Sequence, residues 1–300
     1  MPVIKPNKKK TPVWTVIIFV FGLIDLALLI RRLLHGHNVA LFNPKGQIAH
    51  EQHSLMIFTL SVLFAIAIPT LSLLYFFAWR YRESNTKVNH NPQPHHSKIL
   101  APGIWMIPTT VMLILVSVMA PATHKLVPQK VIAADAQSLT IEVISLRWKW
   151  LFIYPDQGIA SLNFVQLPVD TPVTFEMTAD ETPMSSFWIP NLGGQLYTMT
   201  SHVNRLNLMA VTAGDYPGSS AEINGAGFAG MKFTARAGSM DSFVNWEQTV
   251  KQSPNNLDIV TYKKLLVPSE YNRAVFYSSF DPNLYASVIG KYEGPGGHTH

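Results

Sequence analysis

Two long uncharged runs, Leu55–Trp79 and Ile99–Pro121, restrict the folds open to this chain more than any other feature. They contain 25 and 23 residues. At ~1.5 Å per residue, a helix of either length exceeds the ~30 Å hydrocarbon core of a bilayer. Pro69 and Pro108 lie inside the runs, and membrane helices tolerate proline when neighbouring helices satisfy the freed carbonyl. The sequence therefore predicts a hairpin of two transmembrane helices, within residues 37–121, that packs against other helices.

A third apolar segment, Val13–Ile30, follows a tail with four lysines between residues 5 and 10. Residues 1–36 are therefore either a signal-like segment or an additional transmembrane helix. The loop from residue 80 to 98 also carries four basic residues, whereas the loop from 35 to 54 carries only Lys45. Because basic loops stay on the cytoplasmic side, the region after Pro121 is expected on the outer side.

Composition excludes several functional classes. The 300 residues include no cysteine, which excludes disulfides, cysteine-based zinc sites, thiolate copper sites, cysteine nucleophiles and a lipidated cysteine. Apolar residues make up 48% and charged residues only 14%, as expected for a membrane protein. The formal charge is +5, but the basic residues lie beside the apolar runs and form no stripe. The bilayer, and no nucleic acid, is the expected partner of these charges.

The remainder of the chain, residues 122–300, has a soluble character. Short alternating or β-branched runs separated by turn residues predict an all-β sandwich or barrel within 122–238; these runs are Leu139–Ser145, Trp148–Tyr154, Leu162–Leu167, Val173–Thr178, Val203–Val211 and Met231–Ala237. Residues 239–292 then show helical periodicity, and the predicted helices are Asp241–Gln252, Leu257–Val267 and Pro282–Tyr292. Asp281 is the expected N-cap of the last helix. Residues 293–300 are rich in glycine and predict a disordered tail.

The loop Ser220–Met231 has the spacing of a metal-binding loop, with residues 220, 224, 228 and 231 at the positions where ligands belong. Three of these positions hold Ser, Asn and Phe. Only Met231 is a suitable ligand for a soft metal. The loop therefore has the shape of a metal site without its chemistry.

These motifs and the predicted architecture resemble subunit II of the haem–copper terminal oxidases. Arg147–Trp150 resembles an aromatic run of that family, Met184–Pro190 resembles its His-Ser-Phe-x-x-Pro segment, and the loop 220–231 resembles its Cys-x-Glu-x-Cys-Gly-x-x-His-x-x-Met copper loop. The resemblance implies a cupredoxin-like Greek-key domain. In the cytochrome c oxidases of the family this region holds a binuclear copper centre, whose ligands map onto Ser185, Ser220, Glu222, Asn224, Phe228 and Met231.

The missing thiolates and imidazoles point to the quinol-oxidising branch of the family. Leu41–Ile48, residues 187–197 and 225–232, and the aromatic-rich tail resemble its cytochrome o type. The resemblance implies a non-catalytic subunit II of a proton-pumping ubiquinol oxidase, without catalytic, cofactor-binding or metal-binding residues of its own. It also implies haems and copper in a partner subunit I, further small membrane subunits, and ubiquinol as the substrate of the complex. The expected location is the bacterial inner membrane, with residues 122–300 on the periplasmic side.

Two other functions remain open from the sequence: a copper-bearing cytochrome c oxidase subunit, and a stand-alone membrane-anchored cupredoxin-like binding or assembly protein. The roles of several single residues also remain open from the sequence. Trp148 and Trp150 either pack structurally or mark the point where electrons enter, and Asp25 is a candidate proton-path group. The remaining histidines belong either to metal sites or to solvated segments; they are His90, His95, His96, His298 and His300.

Overall fold

The computed structural model describes residues 39–82, 85, 100–125 and 138–292, together with the single positions 21, 25, 28 and 29. The chain divides into two compact units. Residues 56–119 belong to one of them, and residues 40–55 belong with residues 120 onward to the other. Most of the first apolar segment, the loop histidines and the predicted disordered tail lie outside the described residues.

Two long helices correspond to the predicted spans: α1, Gln47–Arg80, and α2, Leu100–Lys125. By length and composition both can cross a membrane. Several serine and threonine hydroxyls in these helices donate to the carbonyl one turn earlier; for example, the Ser61 hydroxyl donates to the Ile57 carbonyl at 2.7 Å. Helix α1 begins eight residues before the predicted run, because hydropathy marks only the apolar part of a helix.

The second unit contains a β-sandwich, and the predicted fold class is confirmed. Its strands are β1 Leu139–Leu146, β2 Lys149–Tyr154, β3 Ile159–Leu162, β4 Phe164–Pro168, β5 Val173–Ala179, β6 Ser185–Trp188, β7 Leu196–Thr198, β8 Asn204–Leu208, β9 Gly214–Ser220 and β10 Lys232–Gly238. The following residues form α3 Met240–Lys251, β11 Asn256–Leu257, α4 Ile259–Leu265, β12 Val275–Tyr277, β13 Ser279–Phe280 and α5 Leu284–Gly290.

The sandwich consists of a six-stranded sheet, in the order β12-β3-β2-β1-β5-β8, and a five-stranded sheet, in the order β4-β10-β9-β6-β7. The pairs β1–β5 and β4–β10 are parallel. Phe187 lies at the centre of the core between the sheets, where its ring centroid is 5.1 Å from that of Phe233 and 5.3 Å from that of Trp150. The first sheet is also covered on its outer face by the C-terminal elements, which form a second apolar cluster with it. Strand β2 is therefore buried along its whole length.

Three predicted elements differ from the observed ones. The predicted helix Leu257–Val267 is shorter, Ile259–Leu265, because Leu257 belongs to β11. The run Leu162–Leu167 is two strands, because the chain leaves the first sheet for the second at Asn163, whose φ is 53°. The Asn163 side chain stabilises this change by accepting a hydrogen bond from the Trp150 amide at 2.8 Å. The last helix begins at Leu284 and not at Pro282. The carboxylate of Asp281 accepts the Asn283 amide at 2.9 Å and so forms a turn ahead of the helix.

The start of α1 is fastened to the loop that follows β6, within the second compact unit. The amides of Lys45 and Gly46 donate to the Asn191 carbonyl at 2.8 and 3.0 Å, and the Ala49 amide donates to the Leu192 carbonyl at 3.3 Å. A Cβ atom on Gly46 would overlap the Leu192 backbone. This contact therefore requires glycine at position 46.

We expect Gly46→Ala to destabilise the chain by about 2 kcal/mol, as overpacking against backbone does. Thermal unfolding of the purified chain in detergent measures the loss. Gly103→Ala in α2 is the matched control, because nothing lies within 4 Å of an added Cβ there. Equal unfolding temperatures for the two variants would contradict the close contact at Gly46.

Candidate functional site

Three of the six positions implied by the resemblance meet directly in the structure. The side-chain amide of Asn224 donates to the Ser185 hydroxyl at 2.7 Å and lies 3.1 Å from the Met231 sulfur. Ser185 is the first residue of β6, and the other two lie in the loop between β9 and β10. All three side chains are buried. The Asn224 amide thus contacts both Ser185 and Met231, two of the positions onto which copper ligands map.

Ser220 and Glu222 are held by a second set of bonds. The Ser220 hydroxyl donates to the Glu222 carbonyl at 2.9 Å and accepts the Ser186 amide at 3.3 Å. The Ala221 amide also donates to the Ser186 carbonyl at 2.9 Å. The amide and carbonyl of Ser186 in β6 therefore hold this end of the loop, one through the Ser220 hydroxyl and the other through the Ala221 amide. The loop shape therefore does not depend on a bound ion.

Phe228 contributes to the site only through its backbone in the contacts described here. It opens a short 3₁₀ helix, Phe228–Gly230, and its carbonyl accepts the Met231 amide at 3.1 Å. Its side chain is half-buried. The ring of Phe228 is therefore not part of the hydrogen-bonded group formed by Ser185, Asn224 and Met231.

The donor set does not fit a binuclear copper centre. Such a centre needs soft thiolate bridges and imidazoles, whereas the loop offers hydroxyls, a carboxamide, a phenyl ring and one thioether. The Asn224 carboxamide oxygen is buried and has no hydrogen-bond partner among the described residues. We therefore derive no metal chemistry from this loop.

Trp148 covers the same loop from outside. Its φ is 64°, in the left-handed region that bulky residues rarely adopt. Its ring lies against Gly225 and Gly227, and a Cβ atom on Gly227 would overlap it. Trp150 points into the core, where it is fully buried against Phe187. Both tryptophans therefore make packing contacts, and a role of either one in electron entry stays an untested prediction.

A buried carboxylate that sequence reasoning missed attaches the C-terminal elements to the sandwich. Asp180 accepts the hydroxyls of Tyr262 and Tyr292, each at 2.6 Å, and the ammonium of Lys291 at 2.9 Å. Burial raises the pKa of Tyr262, and its bond to Asp180 raises it further. The tyrosine hydroxyl is therefore a stable donor to this carboxylate.

Lys149 makes a second attachment that the sequence did not reveal. Its ammonium donates to the carbonyls of Leu265 and Val267, at 2.8 and 2.7 Å. Burial lowers the pKa of this lysine, and the two carbonyls lie at the C-terminal end of α4, where a cation is favoured. The only sequence signal was a charged residue inside the aromatic run Arg147–Trp150.

Comparison with known proteins gives consistent matches along most of the chain. A family model described as the COX Aromatic Rich Motif matches residues 251–296. The cytochrome bo(3) ubiquinol oxidase subunit 2 of Pseudomonas aeruginosa is 41% identical over 261 residues, which are 87% of this chain and 78% of that protein. The ubiquinol oxidase subunit 2 of Acetobacter aceti is 38% identical over 262 residues, which are 87% of this chain and 85% of that protein.

Solved structures match the β-sandwich more distantly. The periplasmic domain of subunit II of cytochrome oxidase from Bradyrhizobium japonicum is 22% identical, with a TM-score of 0.36. The match covers 44% of this chain and 97% of that domain.

Proposed function

This chain belongs to the ubiquinol oxidase subunit 2 family, and we propose that it acts as the non-catalytic second subunit of a proton-pumping, quinol-oxidising haem–copper oxidase. The complex would couple ubiquinol oxidation to the reduction of oxygen to water. The observation that carries this proposal is the loop 220–231, in which Asn224 bonds to Ser185 where a copper centre would need a thiolate and an imidazole. A chain without that donor set has no soft-metal centre to accept electrons from cytochrome c.

The partners and location follow from the same proposal. Haems and copper would lie in subunit I, with further small subunits around it, and this chain would support their assembly. Large apolar side chains remain exposed on α1 and α2 in the isolated chain, which supports contact with lipid and with other membrane helices. We place the complex in the bacterial inner membrane, with residues 122–300 on the periplasmic side. We also propose that the chain divides into five segments, with boundaries after residues 36, 121, 238 and 292.

The surface around the loop 220–231 supports a contact with subunit I. Ile223 is 76% exposed and Tyr271 is 67% exposed. Tyr271 is held next to the loop, because its amide donates to the Gly230 carbonyl at 3.3 Å. Trp148 packs against Gly225 and Gly227 of the same loop. Exposed apolar side chains on a loop with a fixed backbone are typical of a docking surface.

We expect Ile223→Asp to lower the yield of haem-bearing partner that copurifies with this chain by roughly tenfold, as removal of an interface hot spot does. A tagged chain expressed with its genomic neighbours, purified in mild detergent and assayed by haem spectrum and quinol-dependent oxygen uptake, measures the effect. Val244→Asp on α3 is the control, because that valine is 44% exposed and lies on a helix that packs against β3, β4, β10 and β12.

The other two functions predict different results. A wild-type chain that purifies alone, without any haem spectrum, would support the stand-alone binding or assembly protein and exclude the oxidase subunit. Copper bound to the purified wild-type chain itself would support the alternative function, a copper-bearing cytochrome c oxidase subunit.

A further inference from the structure

The end of helix α1 carries a group of exposed aromatic and basic side chains. Tyr75 is 74% exposed and Trp79 is 53% exposed; because they are four residues apart, they share one face of the helix. Arg80 and Arg82 follow, and both are exposed. We call these four residues the α1 end group. Within the described part of the chain, neither of its arginines forms an ion pair, so both positive charges are available to a partner.

Local contacts hold the α1 end group in place. The guanidinium carbon of Arg82 lies 5.7 Å from the centroid of the Trp79 ring, which is within the range of a cation–π interaction. The side-chain amide of Asn85 donates to the Arg80 carbonyl at 2.7 Å, and the Asn85 backbone amide donates to the Arg82 carbonyl at 2.9 Å. The charge of Arg82 therefore stays beside the tryptophan at the end of the helix.

The length of the uncharged run sets the depth of the α1 end group in a bilayer. At ~1.5 Å per residue, the run Leu55–Trp79 is ~36 Å long, whereas the hydrocarbon core is ~30 Å thick. A centred run therefore extends ~3 Å beyond each edge of the core and places Trp79 at the start of the headgroup layer, where tryptophan is enriched. That layer is roughly 5 to 8 Å thick. Arg80 and Arg82 consequently lie at the level of the lipid phosphates.

The charges at this end of α1 complement an anionic headgroup. Residues 80–98 contain four basic residues and one acidic residue, Glu83, whereas residues 47–54 at the opposite end of the helix contain no lysine or arginine. A guanidinium presents a planar fork of N–H donors that matches the oxygens of a phosphate. A zwitterionic lipid neutralises its own phosphate with an ammonium group, so the attraction is strongest for a lipid with a net negative headgroup.

We propose that the α1 end group binds the phosphodiester headgroup of an anionic phospholipid. Arg82, held against Trp79, donates hydrogen bonds to the phosphate, and Arg80 adds a second positive charge in the same layer. The exposed faces of Tyr75 and Trp79 contact the acyl chains where they leave the headgroup. The site rests on the membrane placement of α1 proposed above, but not on oxidase activity or on the side of the membrane that this end faces.

Native mass spectrometry of the full chain released from nanodiscs tests the site. The discs contain phosphatidylcholine and phosphatidylglycerol, and the preference is the ratio of bound lipids divided by their ratio in the disc. We expect the wild type to prefer phosphatidylglycerol. Arg82→Gln should lower this preference by roughly fivefold, and Arg80→Gln together with Arg82→Gln by more than tenfold, because each basic side chain near the bilayer surface attracts anionic lipid. Trp79→Leu should lower it by roughly threefold through loss of the cation–π contact.

Two controls define the ligand. Arg273→Gln removes the same charge from an exposed arginine of the second compact unit and should leave the preference unchanged. Inorganic phosphate added in solution should not displace the lipid, because it makes no contact with Tyr75 and Trp79. Displacement of phosphatidylglycerol by inorganic phosphate would assign the arginines to a free anion and overturn the lipid site.

A spin label separates failure of the lipid site from failure of the membrane placement. The chain has no cysteine, so Ile68→Cys, at a side chain that is 60% exposed near the middle of the run, carries a single label. A label that oxygen reaches and a water-soluble nickel complex does not shows that α1 spans the bilayer. If it does span, an equal preference in the wild type and the double arginine variant would overturn the lipid site alone. A label in water would overturn the membrane placement and the site together.

A protein partner at the same arginines predicts a different result. The double arginine variant would then lower the yield of copurifying haem-bearing partner and leave the preference for phosphatidylglycerol unchanged. That outcome would overturn the lipid site and assign the two charges to a protein contact. Loss of the lipid preference with an unchanged yield of partner is the result that we expect.

Discussion

A chain carrying Ser185→His, Ser220→Cys, Asn224→Cys and Phe228→His is expected to bind about two copper ions, because it regains the soft thiolate and imidazole donors of a binuclear centre. The backbone is already prepared for this change. Asn224 lies 2.7 Å from Ser185 and 3.1 Å from the Met231 sulfur, so new ligands at these positions start close together. The Ala221 amide still donates to the Ser186 carbonyl, a main-chain bond to β6 that the substitutions leave in place, although Ser220→Cys removes the hydroxyl that accepts the Ser186 amide.

Metal analysis and the visible absorption spectrum of the copper-loaded, purified chain measure this gain. The matched control is the same variant with Asn224 unchanged, which retains one thiolate and should form no bridged centre. A folded quadruple variant that binds no more copper than this control would show that the loop has lost the geometry as well as the ligands. Copper binding by both chains in equal amount would show adventitious binding to the new cysteine and histidines.

Hydropathy and side-chain periodicity predicted most of the fold, because these signals are local. Strand β6 was missed because Ser185 to Trp188 is short and begins with two polar residues that are nevertheless buried. Strand β9 was missed because it contains Pro217, which strands usually exclude. It tolerates the proline because β6 pairs with it only at Ser219 and Ser220. Both strands depend on partners distant in sequence, and periodicity carries no information about them.

In the candidate site, too, local signals were predictable from the sequence and long-range contacts were not. Spacing alone singled out the loop 220–231, but Ser185 entered only through the family resemblance, since nothing local distinguishes it from other serines. The contacts of Asp180 were beyond reach, because its partners Tyr262 and Tyr292 are 82 and 112 residues away. A buried acid is recognised by what surrounds it, and the surroundings exist only once the chain has folded.

Asp180→Ala is expected to destabilise the attachment of residues 239–292 by about 4 kcal/mol, since it removes the acceptor of two tyrosine hydroxyls and leaves buried donors without partners. The carboxylate is 1% exposed, so water does not replace it. Lys291 adds little to this figure, because its side chain is 41% exposed and solvent screens the ion pair. Urea unfolding, followed together with the protease sensitivity of residues 257–292, measures the loss.

The neighbouring residue provides the control. Glu181→Ala removes the other carboxylate of Lys291, a contact of 2.7 Å at the surface, and should cost below about 1 kcal/mol. If Tyr262 acts through Asp180, then Tyr262→Phe should cost much less in the Asp180→Ala background than in the wild type. Additive losses would show that the two residues stabilise the chain independently. Equal losses in Asp180→Ala and Glu181→Ala would locate the attachment in the apolar cluster alone, because burial of the carboxylate would then make no difference.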